Sequence, residues 1–362
     1  MKISNLKKTF KNKKVIVTGH TGFKGAWLTF WLKKLGADIL GISYNSKTKP
    51  SIFKTLNLKD GIKNKNLDIR NLKKLSKELQ NFKPDFVFHL AAQSLVKKSY
   101  EDPVYTIETN SIGTLNLLES LRKLKKKCTA ILITSDKSYK NLELKRGYRE
   151  NDILGGVDPY SASKACAEMI IYSQINSFFN NGSKVKIGIA RAGNVIGGGD
   201  WSTDRLVPDC IRSWSKNKKV LLRNPEATRP WQHVFEAIGA YLIFATNLNI
   251  NKKFHGEVFN FGPNTNKDYS VLMVIKQMRK YWKNVSWKLL KKKDLKHYES
   301  TLLKLNCNKA KKFLKWKSIL SFDETIRLTT SWYKKFYTKK KNIIKFSQSQ
   351  IDYYEKLMRE RI

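Results

Sequence analysis

Acidic residues are scarce in this chain. Its 362 residues include 29 Asp and Glu against 71 Lys and Arg, a formal net charge of +42. Such an excess invites a nucleic-acid reading, because phosphate backbones bind clustered cations. The distribution argues otherwise. Lysines are spread along the whole chain, with short runs at Lys125–Lys127, Lys291–Lys293 and Lys339–Lys341. Charge on solvated faces sets non-specific attraction, so no specific nucleic-acid partner is expected. A positive field would still draw in an anionic nucleotide. Cysteine is rare too. Cys128, Cys166, Cys210 and Cys307 form no C-x-x-C pair and have no His cluster beside them. That speaks against a metal site and a disulfide framework, and for reduced thiols. Long apolar runs are missing. The basic segment Met1 to Lys14 leads only into Val15-Ile16-Val17, too short for a signal-peptide core or a membrane span. A cytoplasmic protein without a membrane partner is expected. There is no internal repeat and no Pro/Ser-rich linker.

What is present is enough apolar material for a core, 41% of residues. The length suits one large core with a smaller attached lobe. Lys14–Thr18, Ile39–Tyr44, Phe86–Leu90, Ala130–Thr134 and Val185–Ala190 read as short buried strands. Helical patterns lie between them, with Trp27, Phe30, Trp31 and Leu35 on one helix face, and further helices over Ser111–Leu124 and Ser161–Phe179. Strands alternating with helical crossovers imply a parallel sheet covered on both faces. The expected fold is therefore α/β: a doubly wound, parallel, Rossmann-like sheet with a smaller C-terminal substrate-binding lobe. Residues 1–190 would form the dinucleotide domain. Trp231–Val234 and Val258–Phe261, within 230–262, would return to its sheet. Residues 191–229 and 263–340 would form the lobe, and 341–362 a helical tail of unknown role.

Ligands sit at the carboxyl ends of strands in such folds. Gly19, Gly22 and Gly25 follow a strand and precede a helix. The first allows a tight turn, the second lets backbone N–H groups reach a pyrophosphate, and the third permits close helix–strand packing. Thr18, Thr21 and Phe23 belong to the same loop. An acidic residue about 20 positions on would hold an adenosine ribose. That stretch, Ile42-Ser43-Tyr44-Asn45, has no carboxylate and no Arg, so Asn45 or Ser43 would take its place. Lys47 and Lys49 are near, but NAD is the expected cofactor. Asp68-Ile69 fits an adenine-edge contact, or else the cap region of a helix over Asn71–Leu79.

Tyr160 and Lys164 are four residues apart and share a helix face. A phenol is a poor base at neutral pH, and a nearby ammonium makes it a better one. Ser135 closes a strand, where its hydroxyl can polarise the same substrate oxygen. Asp136 beside it could protonate a leaving hydroxyl, or could simply cap a turn. Lys137 could be a base if its proton is loosened by burial, or a cation stabilising an enolate. Both roles stay open.

The order of these motifs, with His89-Leu90-Ala91-Ala92, resembles the extended short-chain dehydrogenase/reductase superfamily over most of residues 14–262. Four segments resemble its CDP-glucose 4,6-dehydratase family in particular: Thr18-Gly19-His20-Thr21-Gly22-Phe23-Lys24-Gly25, Thr134-Ser135-Asp136-Lys137, the run Ala190 to Trp201, and Thr228-Arg229-Pro230-Trp231-Gln232-His233-Val234. Sister dehydratases carry Glu where Lys137 stands. The resemblance implies a redox-neutral cycle on CDP-glucose: oxidation at C4, elimination of water across C5 and C6, and hydride return to C6. It implies Ser135, Asp136, Lys137, Tyr160 and Lys164 as catalytic residues. Leu90, Ala91 and Ala92 would line the cofactor with Tyr160 and Lys164. Gln93, Ser94, Asn194, Arg205, Leu206 and Arg229 would touch the substrate. Ser138 replaces a cysteine frequent in the family, and residues 264–340 diverge. His233 reads as a packed core histidine. A homodimer through helices around 103–124 and 160–180 is expected by analogy. The competing reading is a 4,6-dehydratase or 4-epimerase for another nucleotide sugar.

Overall fold

The computed structural model describes residues 3–44, 48–144, 146–180, 182–263, 268–290, 303–338 and 342–361. Seven strands form one parallel sheet: β1 (Lys14–Thr18), β2 (Asp38–Ser43), β3 (Lys63–Asn66), β4 (Phe86–His89), β5 (Cys128–Ile133), β6 (Val185–Ala192) and β7 (Val258–Phe261), in spatial order β7-β6-β5-β4-β1-β2-β3. The chain winds outward from β1 on both sides. Strands β4 and β5 are buried at every position, as a sheet covered on both faces requires.

Successive side chains of each strand point to opposite faces, and the core divides accordingly. Val15, Val17, Phe86, Phe88, Ile131 and Ile133 join a large aromatic cluster with the helices Phe23–Lys34 and Val234–Ile250. Ile16, Val87, Ala130 and Leu132 join a smaller aliphatic cluster with the helices Leu72–Phe82, Gly113–Arg122 and Pro159–Gln174.

Several expectations need correction. Strand β3, Lys-Asn-Lys-Asn, was not anticipated, because it is exposed throughout and carries no apolar residue. It is the sheet edge, where lysines discourage pairing with another chain. Trp231–Val234 does not return to the main sheet. Gln232–His233 instead pairs with Val195–Ile196 in a separate two-stranded ribbon. The helix Phe23–Lys34 is buried from Gly25 to Leu32 rather than on one face. Its outer side is covered by a C-terminal helix, Ile343–Arg361. Trp31 Nε1 donates to Glu355 Oε1 at 2.8 Å, and Lys34 pairs with Asp352 at 3.0 Å. Tyr354 packs edge-on against Trp31 and donates to Glu236 Oε2 at 2.8 Å. An N-terminal helix, Ile3–Phe10, precedes β1, and its Leu6 and Phe10 are buried in the same cluster.

Two more ribbons lie outside the sheet, Thr228–Arg229 with Tyr269–Ser270 and Val220–Leu222 with Trp287–Leu289. The four cysteines are free thiols. Among the described residues no helix is long and apolar enough to cross a membrane.

Candidate active site

The site is built where β1, β4 and β5 end. After β1 the chain turns at Gly19, whose φ is +74° and whose N–H donates to Ile42 O at 2.7 Å. A Cβ at Gly19 would stand 2.7 Å from Ala91 N, and one at Gly25 would stand 2.1 Å from Gly19 O. Only glycine permits that approach. Gly22 precedes the helix Phe23–Lys34 and caps it with no side chain. The bare turn at a helix N-terminus fits a dinucleotide diphosphate. Thr18 is buried, 2.7 Å from His89 Nδ1, and accepts from Ala91 N. It braces the loop from behind instead of lining it. Thr21 meets Ser43 through hydroxyls 2.8 Å apart. Asn45 and Lys47 lie outside the described residues.

Asp68 accepts the backbone N–H of Arg70 at 2.9 Å and is ion-paired with its guanidinium. Arg70 holds the carboxyl below its usual range. The helix cap is Asn71, which accepts from Lys74 N at 3.0 Å, so the cap alternative for Asp68 does not hold. Ile69 is buried against Gly113. Leu90 packs on the aromatic cluster and Ala91 on the aliphatic one.

Beyond β5, Ser135 to Ser138 form a tight turn. Ser135 Oγ donates to Asp136 Oδ1 at 2.9 Å and accepts from Lys137 N at 3.2 Å. Gly193 leaves room for the carboxyl, since a Cβ there would stand 3.0 Å from Asp136 Oδ2. Burial raises the Asp136 carboxyl, against the pull of Lys137, Ser135 and Lys24. A raised carboxyl keeps a proton to give. Lys137 is half-buried on the same turn.

Asp158 accepts from Ser161 N at 2.9 Å and Pro159 opens the helix, the preferred chemistry of a helix start. That fixes Tyr160 and, one turn on, Lys164. The Tyr160 phenol is hydrogen-bonded to Ser135. Burial dominates and raises this phenol, although the Ser135 bond lowers it, so the expected net lowering is not seen. Burial pushes the Lys164 ammonium down to about 8, with Glu168 opposing.

Gln93 was expected at the sugar, but its side chain is spent within the fold. Its amide bonds Leu95 O and Thr106 Oγ1 at 3.0 and 2.9 Å, and its carbonyl accepts Leu95 N at 2.7 Å. Exposed Ser94 instead lies 3.4 Å from Arg205, which also pairs with Asp200 at 3.2 Å. Leu206 starts the following helix and is half-buried, as is Asn194 beside Gly193. Arg229 bonds Thr228 O at 2.8 Å. It edges a cleft of about 470 Å³ that Trp231, Tyr269 and Lys311 also line, and that contains none of the catalytic candidates. His233 is buried against Phe235, and burial depresses it to about 3, which keeps it neutral.

A family model described as GDP-mannose 4,6 dehydratase matches residues 16–329. The chain belongs to this family. Within that dehydratase family, it is 43% identical over 333 residues to the CDP-glucose 4,6-dehydratase of Salmonella typhimurium, covering 91% of this chain and 92% of that protein. The UDP-glucuronic acid 4-epimerase of Bacillus cereus, solved with UDP-glucuronic acid and NAD, superposes with a TM-score of 0.76 over 90% of this chain and 100% of that one, at 24% identity. The dTDP-glucose 4,6-dehydratase of Bacillus anthracis, solved in complex with NAD, gives 0.73 over 89% and 97%, at 21%. These two show the fold.

Three groups escaped the sequence reading. Asn110, in a π turn Glu108–Ile112, accepts Gln93 N at 2.8 Å and donates to Ser163 Oγ at 2.8 Å, tying the β4 loop to the Tyr160 helix. Arg191 and Glu168 form a buried ion pair that also receives Thr134 Oγ1 at 2.7 Å. Lys24 is the third, and its ammonium is coupled to Lys164, Arg205 and Asp136. A charged residue inside a glycine loop was the available signal for Lys24. The other two gave none.

Proposed function

We propose that this dehydratase-family chain converts CDP-glucose to CDP-4-keto-6-deoxyglucose and water. The observation that carries this reading is the meeting of Tyr160, Ser135 and Asp136 beside the bare glycine turn, with Lys137 on the same turn as the acid. An epimerase has no use for a buried, proton-holding acid next to its tyrosine. The Salmonella relative's activity supports the choice of nucleotide.

The loop Gly19–Gly25 and the helix start at Phe23 would hold NAD at its diphosphate, with Leu90, Ala91 and Ala92 beside it and Lys164 at the nicotinamide ribose. Bound there, NAD would supply a hydride acceptor at C4 and a donor at C6. Tyr160 takes the C4 hydroxyl proton while Ser135 holds its phenol. Ser135 and Arg205 favour the phenolate, which burial disfavours. The resulting ketone acidifies C5–H, and Lys137 takes that proton or steadies the enolate. Asp136 gives its proton to the C6 hydroxyl as water departs. One water is lost and no net oxidation occurs. Ser94, Asn194, Arg205, Leu206 and Arg229 would hold the nucleotide sugar, in a lobe formed by 191–229 and 263–340.

The reading extends to assembly. Val104 is 66% exposed, Met169 63% and Tyr172 73%. With Ile107, Ile112 and Phe178 they leave an apolar outer face on the helices 103–122 and 159–179. A homodimer through that face, in the cytoplasm, would cover it.

The test is incubation with CDP-glucose deuterated at C4, followed by NMR of the product. Deuterium at C6 of a 4-keto-6-deoxy sugar is expected. Unchanged CDP-glucose, with another nucleotide glucose consumed, would overturn the substrate and keep the chemistry.

A further inference from the structure

Lys24 is the second residue of the helix Phe23–Lys34 and directly follows the bare turn. Both neighbours are fixed. Phe23 lies against Gly197, where a Cβ would stand 3.2 Å from its ring, and Gly25 is pressed on Gly19 O. The Lys24 backbone therefore cannot swing away, and its side chain is half-buried. Its ammonium is coupled to Asp136 beyond β5, to Lys164 on the Tyr160 helix and to Arg205 before the helix Leu206–Trp214. Among the described residues it has no ion pair and no hydrogen bond.

This is an unusual position for a lysine. Farther along the same helix, Lys34 pairs with both Asp352 and Glu355. Lys164 has Glu168 and Arg205 has Asp200, whereas Lys24 shares with Lys137 one carboxyl, Asp136, that burial inclines to stay protonated. An ammonium taken out of water without a counter-ion is costly. Burial has accordingly lowered Lys24 to about 8, which still leaves it charged at neutral pH. A cation in this state is best accounted for by an anion that arrives with a ligand.

We propose that Lys24 is a ligand-binding cation that pairs with a diphosphate oxygen in the loaded site. The inference rests on the nucleotide-sugar reading above and adds a residue to it. The diphosphate belongs either to the dinucleotide or to the nucleotide sugar, and both present the same chemistry to an ammonium. A lysine suits the task, because it offers a point charge on a long stem that can follow the oxygen.

The experiment uses the full chain with K24M, K24Q and K24R. Affinities for CDP and for NAD are measured separately by titration calorimetry, beside steady-state kinetics. K24M and K24Q should weaken one of the two ligands about tenfold or more, the loss of one charge-assisted contact. K24R should stay close to wild type, and kcat should change less than the weakened affinity does. Loss confined to CDP assigns the oxygen to the nucleotide sugar, and loss confined to NAD assigns it to the dinucleotide. Wild-type affinity for both ligands in K24M and K24Q overturns the proposal. So does a fall in kcat with both affinities intact, which would make Lys24 a proton carrier. Should the wild type bind NAD but no CDP, the nucleotide-sugar reading fails, and the NAD arm alone decides Lys24.

Discussion

The two faces of the sheet are built differently. On one, the helix Phe23–Lys34 is buried all round, because Ile3–Phe10, Val234–Ile250 and Ile343–Arg361 wrap it in aromatic rings. On the other, the helices Gly113–Arg122 and Pro159–Gln174 make an aliphatic seam with the sheet and leave apolar side chains outside. The first face finishes its packing within the chain. The second carries Tyr160 and Lys164 and stops one layer short. The lesson is a division of labour: the sealed face anchors the glycine loop, and the open face carries Tyr160 and Lys164, which we propose react, and the apolar surface that we propose a second copy covers.

The comparison predicts separable failures. The largest should come from Tyr160→Phe on the open face. Product formation should fall about 10²- to 10⁴-fold, the range for a lost acid–base group, while the melting temperature holds. A large loss of stability in that variant would blur the distinction. Trp31→Ala on the sealed face should do the reverse, costing about 3–5 kcal/mol in urea unfolding through a core cavity and a lost bond to Glu355. If it unfolds like wild type, the C-terminal wrap contributes little.

Glu236 sharpens the contrast by pH. It accepts Ile319 N and Leu320 N at 2.8 and 2.6 Å, as well as Tyr354, and burial pushes it up to about 7 from an ordinary 4.5. The folded state then binds the proton more tightly than the unfolded one. Its contribution to stability is therefore greatest below pH 4.5, falls as pH rises towards 7 and is flat above. The full change is about 3 kcal/mol. Subtracting the curve of Glu236→Gln from that of wild type should isolate this slope. A pH-independent difference would refute it. The smallest effect on the single chain should come from Tyr172→Glu. Light scattering should report a shift from dimer to monomer with little change in per-chain secondary structure, and an unchanged mass would remove the assembly proposal.

Much of the scaffold was legible because its signals are local. Lys14–Thr18 and Val258–Phe261 form strands with the bounds their apolar runs suggested. Strand β3 was not legible, since edge position rather than side-chain pattern makes Lys63–Asn66 a strand. Gln93 looked like a sugar contact by its place after Ala92, yet Asn110, Thr106 and Leu95 turn it inward. No periodicity within the loop could reveal partners that come from another helix.

From sequence alone came the alternating parallel fold, the glycine turn and the shared face of Tyr160 and Lys164. Each depends on steric rules acting within a few residues. Tertiary structure decided which groups meet and how tightly they hold their protons. Lys24, Asp136, Lys164 and Arg205 converge from four segments, and Glu236 grips a helix that ends near the last residue of the chain. Burial is what raises Asp136 and lowers Lys24 and Lys164, and desolvation is a property of the assembled fold, not of any stretch of chain.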